Sequence, residues 1–311
     1  MEIYKEIPKL KSPTCVAIGK FDGVHLGHLS LLEELVLIAE TQEKESVVFT
    51  FDPFPEEYFA GTELLRINTK GEVISQMDEI GIDRLVRVPF DRNLAQTDPE
   101  DFVKNILKDA LKARVIVCGS DVTFGKDKKG DCKLLLELGK KYGIHVEIID
   151  KVEYDKKEIS SSRIIFDLAE GNIEEANEML GYDYYLYGPV VKGEALGRQF
   201  NLPTANINPP KGKIVPKNGV YCTIVETEDG DEYRAVTNVG IRPTVSDEGT
   251  VNIESHLLTD EDIELYQKRI NVYFLHFIRE EMKFDTKKDL FRQIETDVKT
   301  AKDFFETRRI V

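Results

Sequence analysis

The hydrophobic pattern changes its period a little past half-way along the chain. Up to about Met179, apolar runs with the look of buried strands (16–18, 46–51, 85–88, 115–118 and 145–149) alternate with stretches of helical spacing such as 29–39. Asp98-Pro99-Glu100 adds a helix start, an N-cap residue followed by proline at the first helical position. This alternation predicts a parallel sheet covered on both faces, with any ligand at the carboxyl ends of its strands. Past Gly181 the runs are short and β-like, at 221–227, 233–239, 252–257 and 272–277. The first two are joined across Asp229-Gly230, a hairpin signal. Such strands, broken by Gly and Pro, predict a small antiparallel barrel. Leu290, Ile294, Val298, Ala301 and Phe305 then form one stripe of a terminal amphipathic helix, read as packing on that barrel. The expected fold class is therefore α/β: an N-terminal domain, 1–182, with a parallel sheet, and a C-terminal barrel domain, 183–311. Tyr182, Tyr184, Tyr185 and Tyr187 cluster at the change of pattern and are read as packing between the halves, with flavin stacking as the alternative.

Composition narrows the class. A chain of 311 residues with 41% hydrophobic and 32% charged residues has room for two cores and reads as an ordinary soluble protein. A formal net charge of −15 argues against nucleic acid as the partner, since such binders present a basic face. No apolar stretch approaches a bilayer span, and Met1 to Lys11 lacks the apolar region of a leader, so neither membrane nor export is expected. Cys15, Cys118, Cys132 and Cys222 share no short spacing. They are expected to be reduced and buried in a cytoplasmic protein, with no zinc site. A homo-oligomer is left open.

The densest candidate chemistry is Gly19-Lys20-Phe21-Asp22-Gly23-Val24-His25-Leu26-Gly27-His28, between the first strand and the first long helix of a βα unit. Free backbone N–H groups and the positive end of the helix dipole gather an anion at such a junction. His25 and His28, two of only five histidines in the chain, add imidazoles suited to a triphosphate whose charge grows as it reacts. The alternative reading is a loop histidine beside a helix cap. Gly119-Ser120-Asp121 is expected to fall at the same edge of the sheet.

A second group lies in the barrel half. Thr204 and Asn206, within Leu202-Pro203-Thr204-Ala205-Asn206, point the same way on an extended segment and offer the hard oxygens that Mg²⁺ takes. Gly193 and Gly197-Arg198 precede them, where glycine allows a close backbone approach to phosphate. Glu254 is a candidate general base, or simply an outward-facing strand residue, and Arg279 is a candidate for holding phosphoryl charge.

Taken together these blocks resemble the bacterial bifunctional riboflavin kinase/FAD synthetase family over essentially the whole chain. The His25-Leu26-Gly27-His28 block is similar to the H-x-G-H signature of nucleotidyltransferases. The riboflavin kinase likeness rests on Pro203 to Asn206, Asn218-Gly219-Val220-Tyr221, Arg242-Pro243-Thr244 and Glu254. The resemblance implies a Rossmann-like adenylyltransferase domain beside a riboflavin kinase barrel, with two Mg²⁺-dependent ATP reactions. Glu254 would activate riboflavin for attack on ATP to give FMN, with Thr204 and Asn206 holding Mg²⁺. FMN and a second ATP would then give FAD, with His25 and His28 steadying the transferring phosphates. It further implies phosphate or ATP contacts from Gly19, Phe21, Asp22, Gly23, Gly27, Ser160, Ser161, Ser162, Gly193, Gly197, Arg198, Thr204 and Asn206. The flavin contacts it implies are Asp121, Phe124 and Arg279.

The departures lie mostly in the N-terminal half. The family's P-H-P reads Pro53-Phe54-Pro55, and the arginine closing its S-S-T-x-x-R block reads Ile165. One lost charged phosphate contact in a dry site costs on the order of 2–4 kcal/mol of transition-state stabilisation. A kinase beside a weakened adenylyltransferase is therefore the alternative reading.

Overall fold

The structure, a computed structural model, describes residues 1–192, 203–242, 250–261 and 263–307. The chain divides into two compact units, Met1–Ser161 and Ser162–Val311. The first holds a six-stranded, wholly parallel sheet. Its strands are β1 (Glu2–Tyr4), β2 (Thr14–Ile18), β3 (Glu45–Phe51), β4 (Arg84–Val88), β5 (Ala113–Gly119) and β6 (His145–Ile149), in the order β1-β4-β3-β2-β5-β6.

The side chains of each strand sort to the two faces by strict alternation. Val16 and Ile18 of β2 join Val47, Phe49, Val86, Ile116 and Cys118 in a core that takes up Phe102, Val103 and Leu107 from the helical stretch after Asp98. Cys15 and Ala17 point the other way, to Val48, Leu85, Val117 and Leu31, Leu32 and Leu35 of the helix Leu26–Thr41. Burial on both faces is why the strands read as continuous apolar runs. Asp98 does cap the helix start, accepting from the Glu100 N–H at 3.0 Å. From β2 the chain runs to β3 and β4 on one side, then returns to β5 on the other. The switch point lies between β2 and β5, where doubly wound sheets open a crevice at the carboxyl ends of their strands. A ribbon of β7 (Glu153–Tyr154) and β8 (Lys157–Glu158) follows.

The second unit is an antiparallel barrel of β9 (Tyr185–Pro189), β10 (Thr204–Ile207), β11 (Gly219–Thr227), β12 (Glu232–Arg242), β13 (Thr250–Leu257) and β14 (Arg269–Arg279). Their order is β10-β13-β12-β11-β14-β9. The two ends meet where the Val191 N–H donates to the Asn206 carbonyl at 2.8 Å. The inner face carries Tyr221, Val225, Ala235, Val239, Ile253 and Leu257, all fully buried. Thr223, Thr237 and Ser255 also face inward and satisfy one another, with hydroxyl separations of 2.6 and 2.8 Å. On the outer face Val220, Cys222, Val236 and Leu275 are covered by Ala301 and Phe305 of the terminal helix Lys287–Thr307, as the stripe predicted.

The helices Ser161–Glu170 and Ile173–Leu180 hydrogen-bond to this barrel. The Lys217 N–H donates to the Leu168 carbonyl at 3.0 Å, and the Asn177 amide donates to the Phe274 carbonyl at 2.8 Å. They were grouped by sequence with residues 1–182. The tyrosine cluster has contacts within the second unit. Tyr184 is fully buried, and the Lys213 ammonium lies 4.3 Å from the Tyr185 ring centre and 5.1 Å from that of Tyr184.

Candidate functional site

In the first unit, β2 ends beside Gly19 and the helix Leu26–Thr41 begins after His25, so Gly19 to His28 forms the strand-to-helix turn at the switch point. Phe21, Gly23 and Val24 all adopt positive φ, at 55°, 84° and 38°. The tight path brings the loop back on itself. At Gly23 both the dihedral and the space demand glycine, because an added Cβ would sit 2.8 Å from Ile67 Cδ1. Phe21 is buried with its ring against Gly19.

His25 is the N-cap of the helix, and its Nδ1 accepts the His28 N–H at 3.3 Å. The two imidazoles stack, with centroids 3.7 Å apart and planes within 15°. Gly27 makes room for this, since a Cβ there would lie 3.2 Å from His25 Cε1. Because Nδ1 of His25 is an acceptor, its proton sits on Nε2. Burial drives the His25 pKa down to about 4. Burial, then the His25 charge, holds His28 well below its ordinary value. Burial thus favours the neutral form of both rings, which offers N–H groups rather than positive charge. His28 Nδ1 is buried without a hydrogen-bond partner.

Asp22 turns inward. It is 8% exposed and accepts the backbone N–H of Ile67 at 3.1 Å and of Asn68 at 3.4 Å. Burial raises its pKa, while these N–H groups and Arg66 oppose the rise. Its carboxylate thus ties Ile67 and Asn68 to the loop. Ser161 joins the same loop, donating its hydroxyl to the Asp22 carbonyl at 3.0 Å, while Ser160 and Ser162 are exposed. Asp121, after β5, is exposed and paired with Lys151 at 3.3 Å. Phe124 packs in the core, 6% exposed, with its ring centre 5.8 Å from that of Phe102.

The substituted Phe54 has a physical role that sequence reasoning missed. Arg66 stacks 4.0 Å above its ring and pairs with Glu57 and with Asp52. The buried Glu57 also accepts the N–H of Phe54 at 2.7 Å and of Leu64 at 3.1 Å. An aromatic ring at 54 is thus the platform for a guanidinium.

In the second unit the β10–β13 register decides the site. Thr204 lies opposite His256 and Asn206 opposite Glu254, while Glu254 lies opposite Asn238 of β12 on its other side. All share the outer face of the barrel, because directly opposed residues of antiparallel strands point the same way. Asn206, Asn252 and His256 are buried at 3%, 7% and 9% exposure, and Thr204 and Glu254 are half-buried. Thr204 Oγ1 and His256 Nδ1 are 3.0 Å apart, and the Asn252 amide donates to Asn206 Oδ1 at 3.2 Å. Burial lowers the His256 pKa against the pull of Glu254.

The side-chain oxygens of Thr204 and Asn206 fit Mg²⁺, a hard cation that keeps several water or phosphate oxygens and needs few from protein. Among the described residues no group of three His, Cys, Asp or Glu gathers as a metal site. Arg279 is paired with the terminal helix. Its Nε and Nη2 clamp the buried Asp297 of the terminal helix at 2.9 and 2.7 Å, a bidentate pair that fixes helix to barrel. Gly193, Gly197 and Arg198 lie outside the described residues, as does the Pro243-Thr244 pair.

Comparison with known proteins divides the chain in the same way. Residues 7–163 match the FAD synthetase family and residues 180–305 the riboflavin kinase family. A bifunctional riboflavin kinase/FMN adenylyltransferase of Pseudomonas fluorescens is 36% identical over 290 residues, covering 93% of this chain and 92% of its own. Its namesakes in Haemophilus influenzae and Escherichia coli K12 are each 34% identical and cover 94% of this chain. A crystal structure from Streptococcus pneumoniae, described as a macrolide-efflux protein, superposes with a TM-score of 0.84 at 30% identity, over 97% of this chain and 99% of that one. Among the described residues no helix is long and apolar enough to cross a membrane.

Proposed function

We propose residue roles on one premise: the chain belongs to the bifunctional riboflavin kinase/FMN adenylyltransferase family. It is a transferase that phosphorylates riboflavin to FMN with ATP and adenylates FMN with a second ATP to give FAD and pyrophosphate. Both family domains are present in one chain, and its relatives carry both names, so the reading of a silenced adenylyltransferase is not favoured.

The kinase step belongs to the outer face of β10 and β13. Glu254 takes the proton of the ribityl 5′-hydroxyl as that oxygen attacks the γ-phosphorus and the bond to the ADP oxygen breaks. Thr204 and Asn206 orient the ATP phosphates and would hold Mg²⁺, which would supply neutralisation of the phosphate charge. Gly193, Gly197 and Arg198 remain candidates for the same phosphates. The observation that carries this reading is the register that sets Asn206 directly against Glu254 and Thr204 against His256.

The adenylyl step belongs to the β2 turn. An FMN phosphate oxygen attacks the α-phosphorus and pyrophosphate departs. His25 and His28, neutral and stacked at the helix N-terminus, donate N–H groups to the phosphates as negative charge builds on them. The partnerless, buried Nδ1 of His28 supports a ligand there. Gly19, Gly23 and Gly27 shape the loop, Ser160 to Ser162 and Asp121 stay candidates for ATP and flavin contacts, and Phe21 and Asp22 act by packing it. A boundary between the two activities near 182 and a cytoplasmic location complete the proposal, the latter fitting four free thiols.

A time course with purified protein, riboflavin, ATP and Mg²⁺, resolving riboflavin, FMN and FAD by chromatography, tests the assignment. FMN that rises and then converts to FAD is the expected result. FMN accumulating without FAD would reject the adenylyl assignment.

A further inference from the structure

Glu254, Thr204 and Asn206 do not stand alone on their face of the barrel. β13 presents Asn252, Glu254 and His256 at alternate positions, so all three side chains leave the same face. The outer two each reach across to β10: His256 meets the Thr204 hydroxyl at 3.0 Å, and Asn252 donates to Asn206 Oδ1 at 3.2 Å. Glu254 is thus bracketed by two residues whose polar atoms meet those of Thr204 and Asn206. Thr204 is only half-buried, and a threonine hydroxyl rotates freely about its C–O bond unless a partner fixes it. A ring nitrogen at 3.0 Å fixes it. An asparagine amide likewise has two ends, and a donor on Oδ1 decides which end is oxygen at that place. His256 and Asn252 are themselves buried on a strand paired on both sides, which holds them in place beside the donors.

We propose that His256 and Asn252 are positioning residues of the phosphoryl-transfer site. His256 fixes the Thr204 hydroxyl, and Asn252 fixes the Asn206 amide, in the orientations that receive a magnesium nucleotide. The inference rests on the kinase reading above and deepens it. Neither residue touches riboflavin in this scheme, and neither gains or loses a proton in the reaction. Orienting groups around a metal commonly carry 10- to 100-fold of its affinity.

The test uses the full-length protein and Mg·ADP as the probe, with binding followed by calorimetry in excess Mg²⁺. His256→Leu keeps the volume and removes the ring nitrogen. His256→Asn restores a polar atom near the place of Nδ1. His256→Leu is expected to weaken Mg·ADP binding about tenfold and to raise KM for ATP in proportion, with KM for riboflavin near wild type. His256→Asn is expected to recover most of the loss, which a packing defect would not allow. Asn252→Ala is expected to give a similar loss through Asn206, and it carries the test should leucine at 256 prevent folding of the barrel. Wild-type Mg·ADP affinity in a folded His256→Leu protein, or in Asn252→Ala, overturns the positioning role. The underlying site reading fails on a different result, wild-type Mg·ADP affinity in Thr204→Ala and Asn206→Ala.

Discussion

His28 donates its backbone N–H to Nδ1 of His25 while its own imidazole stacks 3.7 Å from the His25 ring. One geometry therefore serves two ends. It caps the first helix, and it fixes the His25 proton on Nε2, the only ring nitrogen left to face a ligand. A capping role and a phosphate-binding role, alternatives at the level of sequence, are compatible in this geometry, because the cap uses Nδ1 and leaves Nε2 outside it. The cap holds the ring in one orientation.

The same burial makes the N-terminal unit acid-sensitive. With a folded pKa of about 4 against an ordinary 6.5, His25 binds a proton more readily unfolded than folded. Its contribution is fully present above pH 6.5 and is lost as pH falls through the window down to about 4, a loss of about 3 kcal/mol at most. His28 shifts in the same direction. Asp22, with its pKa raised, acts with the opposite sign. His25→Asn retains an N-cap acceptor but cannot titrate. Denaturant melts of the variant at pH 7 and pH 5 should show a smaller pH dependence than wild type. An unchanged difference would rule out His25 as its source.

His28→Ala should lower FAD formation from FMN and ATP by about 10²- to 10³-fold, the scale for removing a donor to developing charge. FMN formation from riboflavin should stay close to wild type, since His28 belongs to the first unit and the kinase site to the second. Loss of both activities in a folded variant would mean the two sites are not separate.

Glu254→Gln should do the reverse. The amide keeps the size of the side chain but cannot accept the hydroxyl proton, and general-base catalysis contributes about 10²- to 10⁴-fold. FMN production should fall by that order while FMN supplied from outside is still converted to FAD. A variant that makes FMN at the wild-type rate would return Glu254 to the role of an ordinary strand residue.

How far the sequence could be read depended on the range of the interaction. Strand periodicity, the Asp229-Gly230 hairpin and the terminal stripe are local signals, and the structure carries all of them. β1 and β9 went unread, because a three-residue edge strand and a tyrosine-rich one give no clear alternation. The site residues were legible as types at a spacing, but their partners were not. Nothing near Asp22 in the sequence announces Ile67 and Asn68 as its donors. Nothing beside Phe54 announces Arg66, and the ring that looked like a lost polar contact proves to support a cation. Asn252 and His256 had a faint signal, two polar residues flanking Glu254 at strand spacing, whose meaning appears only when β10 is laid alongside.

Arg279 shows the same limit from the other side. As a sequence feature, an arginine closing the last barrel strand looks like a ligand contact. In the fold, its guanidinium makes a bidentate bridge to Asp297, whose side chain is 4% exposed. Gln293 adds a donor to the same carboxylate at 2.9 Å. Removing the arginine strands a buried charge, which costs about 3–5 kcal/mol, whereas replacing both partners with apolar groups of similar size removes the charge with the pair. Arg279→Met should therefore destabilise the second unit strongly. The double variant Arg279→Met with Asp297→Leu should regain much of the loss, a coupling that a double-mutant cycle of denaturant melts reads directly. Riboflavin KM in the double variant separates the two roles. A value near wild type assigns Arg279 to the clamp alone, and a rise that survives the recovery of stability would return it to the flavin site.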